Sequence, residues 1–526
     1  MADGLSATPD WTAESKQASA YFGYSVSTAG DVNDDGYADV IVGAYGYEDG
    51  QANEGRAYVY TGTVDGLGAT PDWTADGDQV SAYFGYAVST AGDVNDDGYD
   101  DVIVGAPGYD DGQTNEGRAT VYFGSSTGIT TGAAGWTADG DQAGAYFGRS
   151  VSTAGDVNGD GYADVIVGAP YYDDGQTSEG RAYAYYGTAD GLSATPDWTA
   201  EGDQAYAYFG MSVSAAGDVN DDGYGDVIVG AYGYENGQAY EGRASVYHGA
   251  ADELSARPDW TAEGNQPYAY FGYAVSAAGD VNDDGYGDVI VGAPYYDDGQ
   301  ANEGRAYVYT GTVSGLSTMP DWTAESDQVN GYFGRSVSTA GDVNDDGYDD
   351  VIVGAHGYGD GQAYEGRAFV YTGTASGLGT TPDWTAESGQ AYAYFGYSVS
   401  TAGDVNDDGY ADVVAGAPYY DDDQTNEGRV YVYTGTAEGL SAIPDWTAES
   451  DQANARFGYA VSTAGDVNGD GYGDVVVGAY TYSNGQTYEG RAFVYTGTAE
   501  GLGATPDWTA ESDQANGYLG YSVSTA

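Results

Sequence analysis

One period governs the whole chain. The dipeptide Phe-Gly begins at Phe22, Phe84, Phe147, Phe209, Phe271, Phe333, Phe395 and Phe457, in steps of 62 residues except for a single step of 63. All nine tryptophans, from Trp11 to Trp508, keep the same spacing, each eleven residues ahead of a Phe-Gly or of its Leu-Gly counterpart at Leu519. The chain is therefore eight units and a fragment of a ninth. Units that repeat at such a period bury their hydrophobic faces against one another. No Pro-rich linker or charge block separates them, so they share a core and are not independent domains on a string.

Within the first unit, residues 22–32 read FGYSVSTAGDV, small and apolar residues alternating ahead of a turn cluster, which predicts a strand. Asp39 to Ala44 reads DVIVGA, the short apolar run of a strand buried on both faces. Residues 56–61, RAYVYT, alternate at period two, and residues 10–13 around Trp11 supply a fourth, shorter strand. No segment carries a helical period. Four short strands per unit, repeated eight times, predict an all-β fold: one eight-bladed β-propeller of four-stranded antiparallel blades over residues 1–526. Blades start near 22, 84, 147, 209, 271, 333, 395 and 457. Seven closed blades plus an extra unit is the alternative, and an open solenoid is disfavoured because its coils are usually shorter. Residues 3–28 recur, with few changes, as 500–525, so the segments 1–21 and 507–526 compete to complete the last blade. Met1 falls in mid-repeat, which reads as a boundary within a longer precursor.

Every unit carries one acidic loop of the form Asp-x-Asn-x-Asp-Gly-Tyr-x-Asp. Oxygen donors at positions one, three and five, the backbone carbonyl of position seven and the carboxylate of position nine can converge on one hard cation, with Gly at position six allowing the turn. The first set is Asp31, Asn33, Asp35, Tyr37 and Asp39, and the second Asp93, Asn95, Asp97, Tyr99 and Asp101. Blades three and four give Asp156, Asn158, Asp160, Tyr162 and Asp164, then Asp218, Asn220, Asp222, Tyr224 and Asp226. Blades five and six give Asp280, Asn282, Asp284, Tyr286 and Asp288, then Asp342, Asn344, Asp346, Tyr348 and Asp350. The last two are Asp404, Asn406, Asp408, Tyr410 and Asp412, then Asp466, Asn468, Asp470, Tyr472 and Asp474. Asp, Asn and Gly also populate ordinary turns, but eight intact copies argue for about eight structural Ca2+ ions. Calcium suits the all-oxygen set better than magnesium or a transition metal. Position four is Asp in six copies and Gly in two, Gly159 and Gly469, so its side chain is expected to point away from the ion. The full protein shell leaves no open position for Lewis-acid chemistry.

Composition narrows the function classes. With 83 Asp and Glu against 13 Lys and Arg, a formal charge of −70 and a single lysine, Lys16, the chain lacks the basic surface a nucleic-acid partner requires. There is no cysteine, hence no disulfide framework and no thiolate chemistry. His248 and His356 stand in different contexts and read as incidental. No run of 18 apolar residues predicts a membrane span, and the first residues lack the pattern of a secretory signal. There is no Asn-x-Ser/Thr sequon. The acidic surplus suits a saline or calcium-rich setting.

Phe-Gly, the acidic loop and Gly-Ala-Pro after the next strand, complete at Gly105, Gly168, Gly292 and Gly416, together resemble the FG-GAP repeats of integrin α-subunit propellers and their bacterial relatives. That resemblance implies calcium in the loop between the first two strands on one rim and ligand contacts, to protein or glycan, from loops on the opposite rim. It also implies an extracellular or cell-surface, non-enzymatic adhesion module. The sequence departs from integrin propellers in having eight copies that all carry the loop, and no blade is marked out as a specialised site. The near-identity of the units and the duplicated ends support the alternative of a structural subunit, assembled head-to-tail by strand addition into an extracellular fibre or surface layer. An enzyme is a distant third, since no acid pair stands out from the others.

The other repeated features are read as structural. Arginine recurs as Glu-Gly-Arg at Arg56, Arg118, Arg181, Arg243, Arg305, Arg367, Arg429 and Arg491. Pairing with Glu or Asp to fasten adjacent strands or blades is favoured over a ring that binds an anion. The tryptophans should pack at the blade edges. The 55 tyrosines exceed what blade cores need, and those after the second strand suit either sugar stacking or a polar interface, or simply cover the rim.

Overall fold

A computed structural model describes residues 11–13, 22–63, 67, 70–130, 134–251, 253–422, 424–450, 452–468, 470–483, 488, 490–499, 501–503, 506, 508–511, 521 and 523. The first repeat holds the strands β1 (Trp11–Ala13), β2 (Phe22–Gly30), β3 (Asp39–Ala44), β4 (Arg56–Tyr60) and β5 (Trp73–Asp76). Strands β2 to β5 form one antiparallel sheet in chain order, and seven further sheets repeat that order, so the ring has eight blades. The alternative of seven closed blades plus an extra unit is not what forms. Because the strands simply alternate in direction, the β2–β3 and β4–β5 turns lie at one end of each blade, and the β3–β4 loop and the crossing to the next blade lie at the other.

The core sits between blades. In β3, Val40 and Val42 face a cluster shared with Val476 and Val494 of blade 8. Ile41 faces the opposite way, into a cluster with Phe84, Val102 and Val104 of blade 2. The apolar run DVIVGA is buried throughout because alternate residues fill two different interblade cores. The motif glycines lie at the same contacts. A Cβ on Gly43 would stand 2.1 Å from the Gly85 carbonyl of the next blade, and one on Gly55 would stand 2.1 Å from the Phe84 carbonyl. Phe-Gly, Gly-Ala and Glu-Gly-Arg are thus parts of one interblade joint where backbone meets backbone.

Tryptophan belongs to this joint too. From Trp73 to Trp446 the outer-strand indoles are buried, and each packs edge-on against a tyrosine of the following blade, Trp73 on Tyr122 at 4.5 Å and Trp136 on Tyr185 at 4.6 Å. Trp136 Nε1 also donates to the Ser193 carbonyl of that next blade at 2.7 Å. These indoles therefore fasten blade to blade rather than only finishing an edge.

At the seam, Trp508–Glu511 completes blade 8 in chain order, pairing antiparallel with Arg491–Tyr495. The other copy, β1, adds outside it as a fifth strand, parallel and in register, Trp11 opposite Trp508 and Ala13 opposite Ala510. Two described residues of the ninth repeat insert where blades 8 and 1 meet: Tyr521 lies 4.9 Å from both Tyr24 and Tyr459, and Val523 is buried with Val26. The rest of residues 1–21 and 507–526 lies outside the described residues.

Candidate metal centres

The acidic loops occupy the β2–β3 turn of every blade, at the end away from the Glu-Gly-Arg joint. In the first, Asp31 folds the loop around its own carboxylate: its oxygens accept from the amides of Asp35 at 3.1 Å and Gly36 at 2.8 Å. Asn33 Oδ1 accepts from the Asp35 amide at 3.0 Å, and Asp35 Oδ1 from the Tyr37 amide at 3.1 Å. These are Asx turns in series, and they fix the side-chain oxygens of positions one, three and five on one loop. The same contacts recur from Asp93 to Asp470.

Position nine differs in kind. Asp39 is fully buried, Oδ2 accepting from the Val32 amide at 2.8 Å and Oδ1 from the Gly62 amide at 2.7 Å. Asp101, Asp164, Asp226, Asp288, Asp350, Asp412 and Asp474 are equally inaccessible. Burial pushes the Asp39 carboxyl up to about 7 against its two amide donors, with Asp31 and Asp35 adding a smaller push in the same direction. Asp101 is driven to about 8 for the same reasons, and Asp474 well above the usual carboxylate range. A buried acid beside two further acids lacks a compensating positive charge.

Position four sits in the left-handed region: φ is +53° at Asp34, +54° at Asp221 and +71° at Gly159. Asp34 is solvent-exposed, as its exchange for glycine predicts; Gly469 lies outside the described residues. The eight loops are also joined. The position-one carbonyl of each accepts the position-eight amide of the next, from Asp100 to Asp31 at 3.1 Å and from Ala163 to Asp93 at 2.9 Å. The series returns from Ala38 to Asp466 at 3.3 Å, so the hydrogen bonds form a closed circle.

The donor set is chemically that of a hard cation: carboxylates, an amide oxygen and a main-chain carbonyl, with no nitrogen or sulfur. Among the described residues no three acidic or imidazole side chains form a preformed metal cluster. The carboxylates of positions one, five and nine instead accept backbone amides, and even Asp31, which accepts three, keeps a lone pair for an ion.

The repeated arginines, from Arg56 to Arg429, are engaged by carboxylates of their own blades. Arg56 forks onto Asp76 on the neighbouring strand β5 and stacks on Tyr47 at 3.8 Å. Arg305 binds Glu325 at 2.6 Å and Asp298 at 2.9 Å over the ring of Tyr296 at 4.1 Å. The pairing expected from sequence is present within blades, but its acid lies twenty residues downstream. The adjacent glutamate does something else: Glu54 is buried and accepts the Asp49 amide. The glutamines also join blades, which no motif of the repeat announces. Gln51 donates to the Asp78 carbonyl at 2.6 Å and Gln79 to the Asp110 carbonyl at 2.6 Å, holding the crossing from blade 1 to blade 2 at both ends. Their regular placement, two per repeat, was the available signal. His356 is buried among Tyr332, Tyr394 and Tyr397, and burial, with Arg335 alongside, lowers it to about 3.

The family model for the FG-GAP repeat matches residues 22–60, 84–122, 147–185, 209–247, 271–309, 333–371, 395–433 and 457–495, more than half of the chain and once in every blade. Among similar proteins, integrin alpha-V of Gallus gallus is 33% identical over 257 residues, covering 47% of this chain and 23% of the relative. Integrin alpha-5 of Xenopus laevis is 31% identical over 235 residues, covering 43% and 21%. Phosphatidylinositol-glycan-specific phospholipase D of Homo sapiens is 28% identical over 475 residues, covering 79% and 54%. The chain thus spans between about a fifth and about half of the length of these relatives.

Proposed function

Because the chain belongs to the FG-GAP repeat family, we propose that it is a calcium-stabilised extracellular propeller, a non-enzymatic adhesion or binding module for protein or glycan. The observation that carries the calcium reading is the fully buried position-nine carboxylate, close to two further acids and, among the described residues, with no cation beside it to balance them. Asp31, Asn33, Asp35, the Tyr37 carbonyl and Asp39, with their seven equivalents, would hold the ions. Calcium bound there supplies positive charge that fixes the loop and relieves repulsion among the acids. The chain's own residues provide the frame, since each loop is hydrogen-bonded to its two neighbours in the circle. The opposite end of the blades is then free for a partner on rigid supports. Retention of the full chain on cell surfaces or glycan arrays in millimolar calcium, lost in chelator, is the expected result; blank surfaces and arrays would remove the adhesion reading.

A second reading is favoured by one observation. The outer edge of blade 8 accepts an added parallel strand in register, and the same edge can pair with a strand from another copy, which gives head-to-tail fibres or a surface layer. Light scattering over a concentration series in calcium separates the two readings: growing polymers support the second, and a constant monomer mass removes it.

A further inference from the structure

At the end of the propeller away from the acidic loops, rings touch from one blade to the next. Tyr208 stacks on Tyr232 at 5.3 Å, Tyr232 meets Tyr270 at 5.7 Å, and Tyr270 meets Tyr295 at 5.1 Å. Further round, the protein's own cations already cover ring faces. Arg149 lies over Tyr86 at 4.6 Å, Arg335 over Tyr397 at 4.5 Å, and Arg456 over Tyr419 and Tyr480 at 5.1 and 5.0 Å. The residue after Phe-Gly supplies two of these arginines, but in blade 4 it is Met211 and in blade 5 Tyr273. There a cavity of about 760 Å³ opens, walled by Tyr232, Tyr268, Tyr270, Tyr273 and Tyr295 together with Met211 and Ser212.

We infer that this cavity binds a short neutral oligosaccharide, the sugar rings lying on the tyrosine faces and their hydroxyls meeting the phenols and Ser212. The inference rests on the binding-module reading and gives it a site and a ligand class. The volume falls within the range of small-molecule sites, roughly 300–1,000 Å³. Tyr268 and Tyr273 are 55% and 41% exposed, so each keeps ring surface open to a ligand although Tyr240 stacks on Tyr268 at 5.8 Å and Arg335 lies 5.8 Å from the Tyr273 ring. No charged side chain lines the cavity, and burial with neighbouring phenols holds Tyr232 up at about 12, so this wall stays neutral. An anionic glycan meets a chain of formal charge −70. A cation meets the Arg335 guanidinium, 5.8 Å from the Tyr273 ring. A purely apolar ligand would leave the phenol hydroxyls without partners. A ring with an apolar face and a polar rim answers all three constraints.

The test is calorimetric titration of the full chain in calcium with maltotriose, cellotriose and triacetylchitotriose, beside trigalacturonate and choline. At least one neutral trisaccharide should bind, while trigalacturonate and choline should not. Tyr268→Ala and Tyr273→Ala should each weaken that binding tenfold or more with an unchanged thermal melt, and Tyr392→Ala, at the same repeat position as Tyr268 but outside the cavity, should leave it unaltered. Silence of all three trisaccharides, or binding that survives both substitutions, overturns the assignment; choline binding lost in both variants overturns it in favour of a cation site. If all three trisaccharides are silent while the unaltered chain still adheres to cell surfaces in calcium, the cavity assignment falls and the binding-module reading stands. If neither trisaccharide nor any surface retains the unaltered chain, both fall.

Discussion

The amide of Ala38 donates to the carbonyl of Asp466 across 3.3 Å, joining the acidic loop of the first blade to that of the eighth. Seven equivalent bonds complete the circle. A change in one loop is therefore felt by two neighbours, and the rim that carries the acids behaves as one structure rather than as eight separate turns.

The position-nine acid holds two strands of its blade together through the loop. Asp288→Ala would leave the buried amides of Val281 and Gly311, now 2.8 Å from its oxygens, without acceptors. The expected loss is about 2–6 kcal/mol of stability, at roughly 1–3 kcal/mol per orphaned buried amide. Urea unfolding in chelator measures it free of any ligand effect.

Position four needs a left-handed backbone and nothing more. Asp34→Gly should change stability by no more than about 0.5 kcal/mol, whereas Asp34→Val, β-branched at a φ of +53°, should cost on the order of 1–2 kcal/mol. Thermal melts of the two variants side by side check the contrast, and equal melts would mean that the backbone conformation there is not the constraint.

How much of this was legible in the sequence depends on whether the partner lay inside the repeat. The eight blades, their four strands and the loop oxygens follow from period, alternation and local spacing, because Asx turns close within five residues of Asp31. What lay between repeats was not legible. Nothing in the run DVIVGA says why Gly43 must lack a side chain, and the reason is Gly85 of the next blade, whose carbonyl presses on it. Trp136 reads as an edge residue until its bond to Ser193 appears. That Arg56 pairs with an acid follows from its charge and its repetition, but which acid does not, and strand pairing is what brings Asp76 opposite that arginine. In a repeat protein every copy carries both halves of such a contact, so sequence alone does not say which copies meet.

The arginine of Glu-Gly-Arg ties strands through both a carboxylate fork and a ring. Arg305→Ala should cost about 1–3 kcal/mol, from the loss of Glu325 and Tyr296 at a site where the guanidinium is largely covered. Arg305→Lys should recover only part of this, since an ammonium lacks the fork. Denaturant midpoints of the three proteins decide it.

His356 adds a dependence on acid that its counterparts lack. Held near 3 in the fold and near its ordinary 6.5 when unfolded, it stays neutral in the ring while the open chain takes up a proton, so stability is lost as the pH falls from about 6.5 towards 3. His356→Tyr copies the residue found at Tyr45, Tyr232 and Tyr480 and should remove that share of the loss. Urea midpoints at pH 7.5 and pH 4.5 should fall further for the unaltered chain than for the variant.

The most direct test of the whole account is calcium titration of chelator-treated protein by calorimetry, with thermal melting at each point. Close to eight ions per chain should bind, and the melting temperature should climb as they do, because eight acidic loops share one hydrogen-bonded circle. A melting temperature unmoved by millimolar calcium, or a chain that binds no calcium, would contradict it.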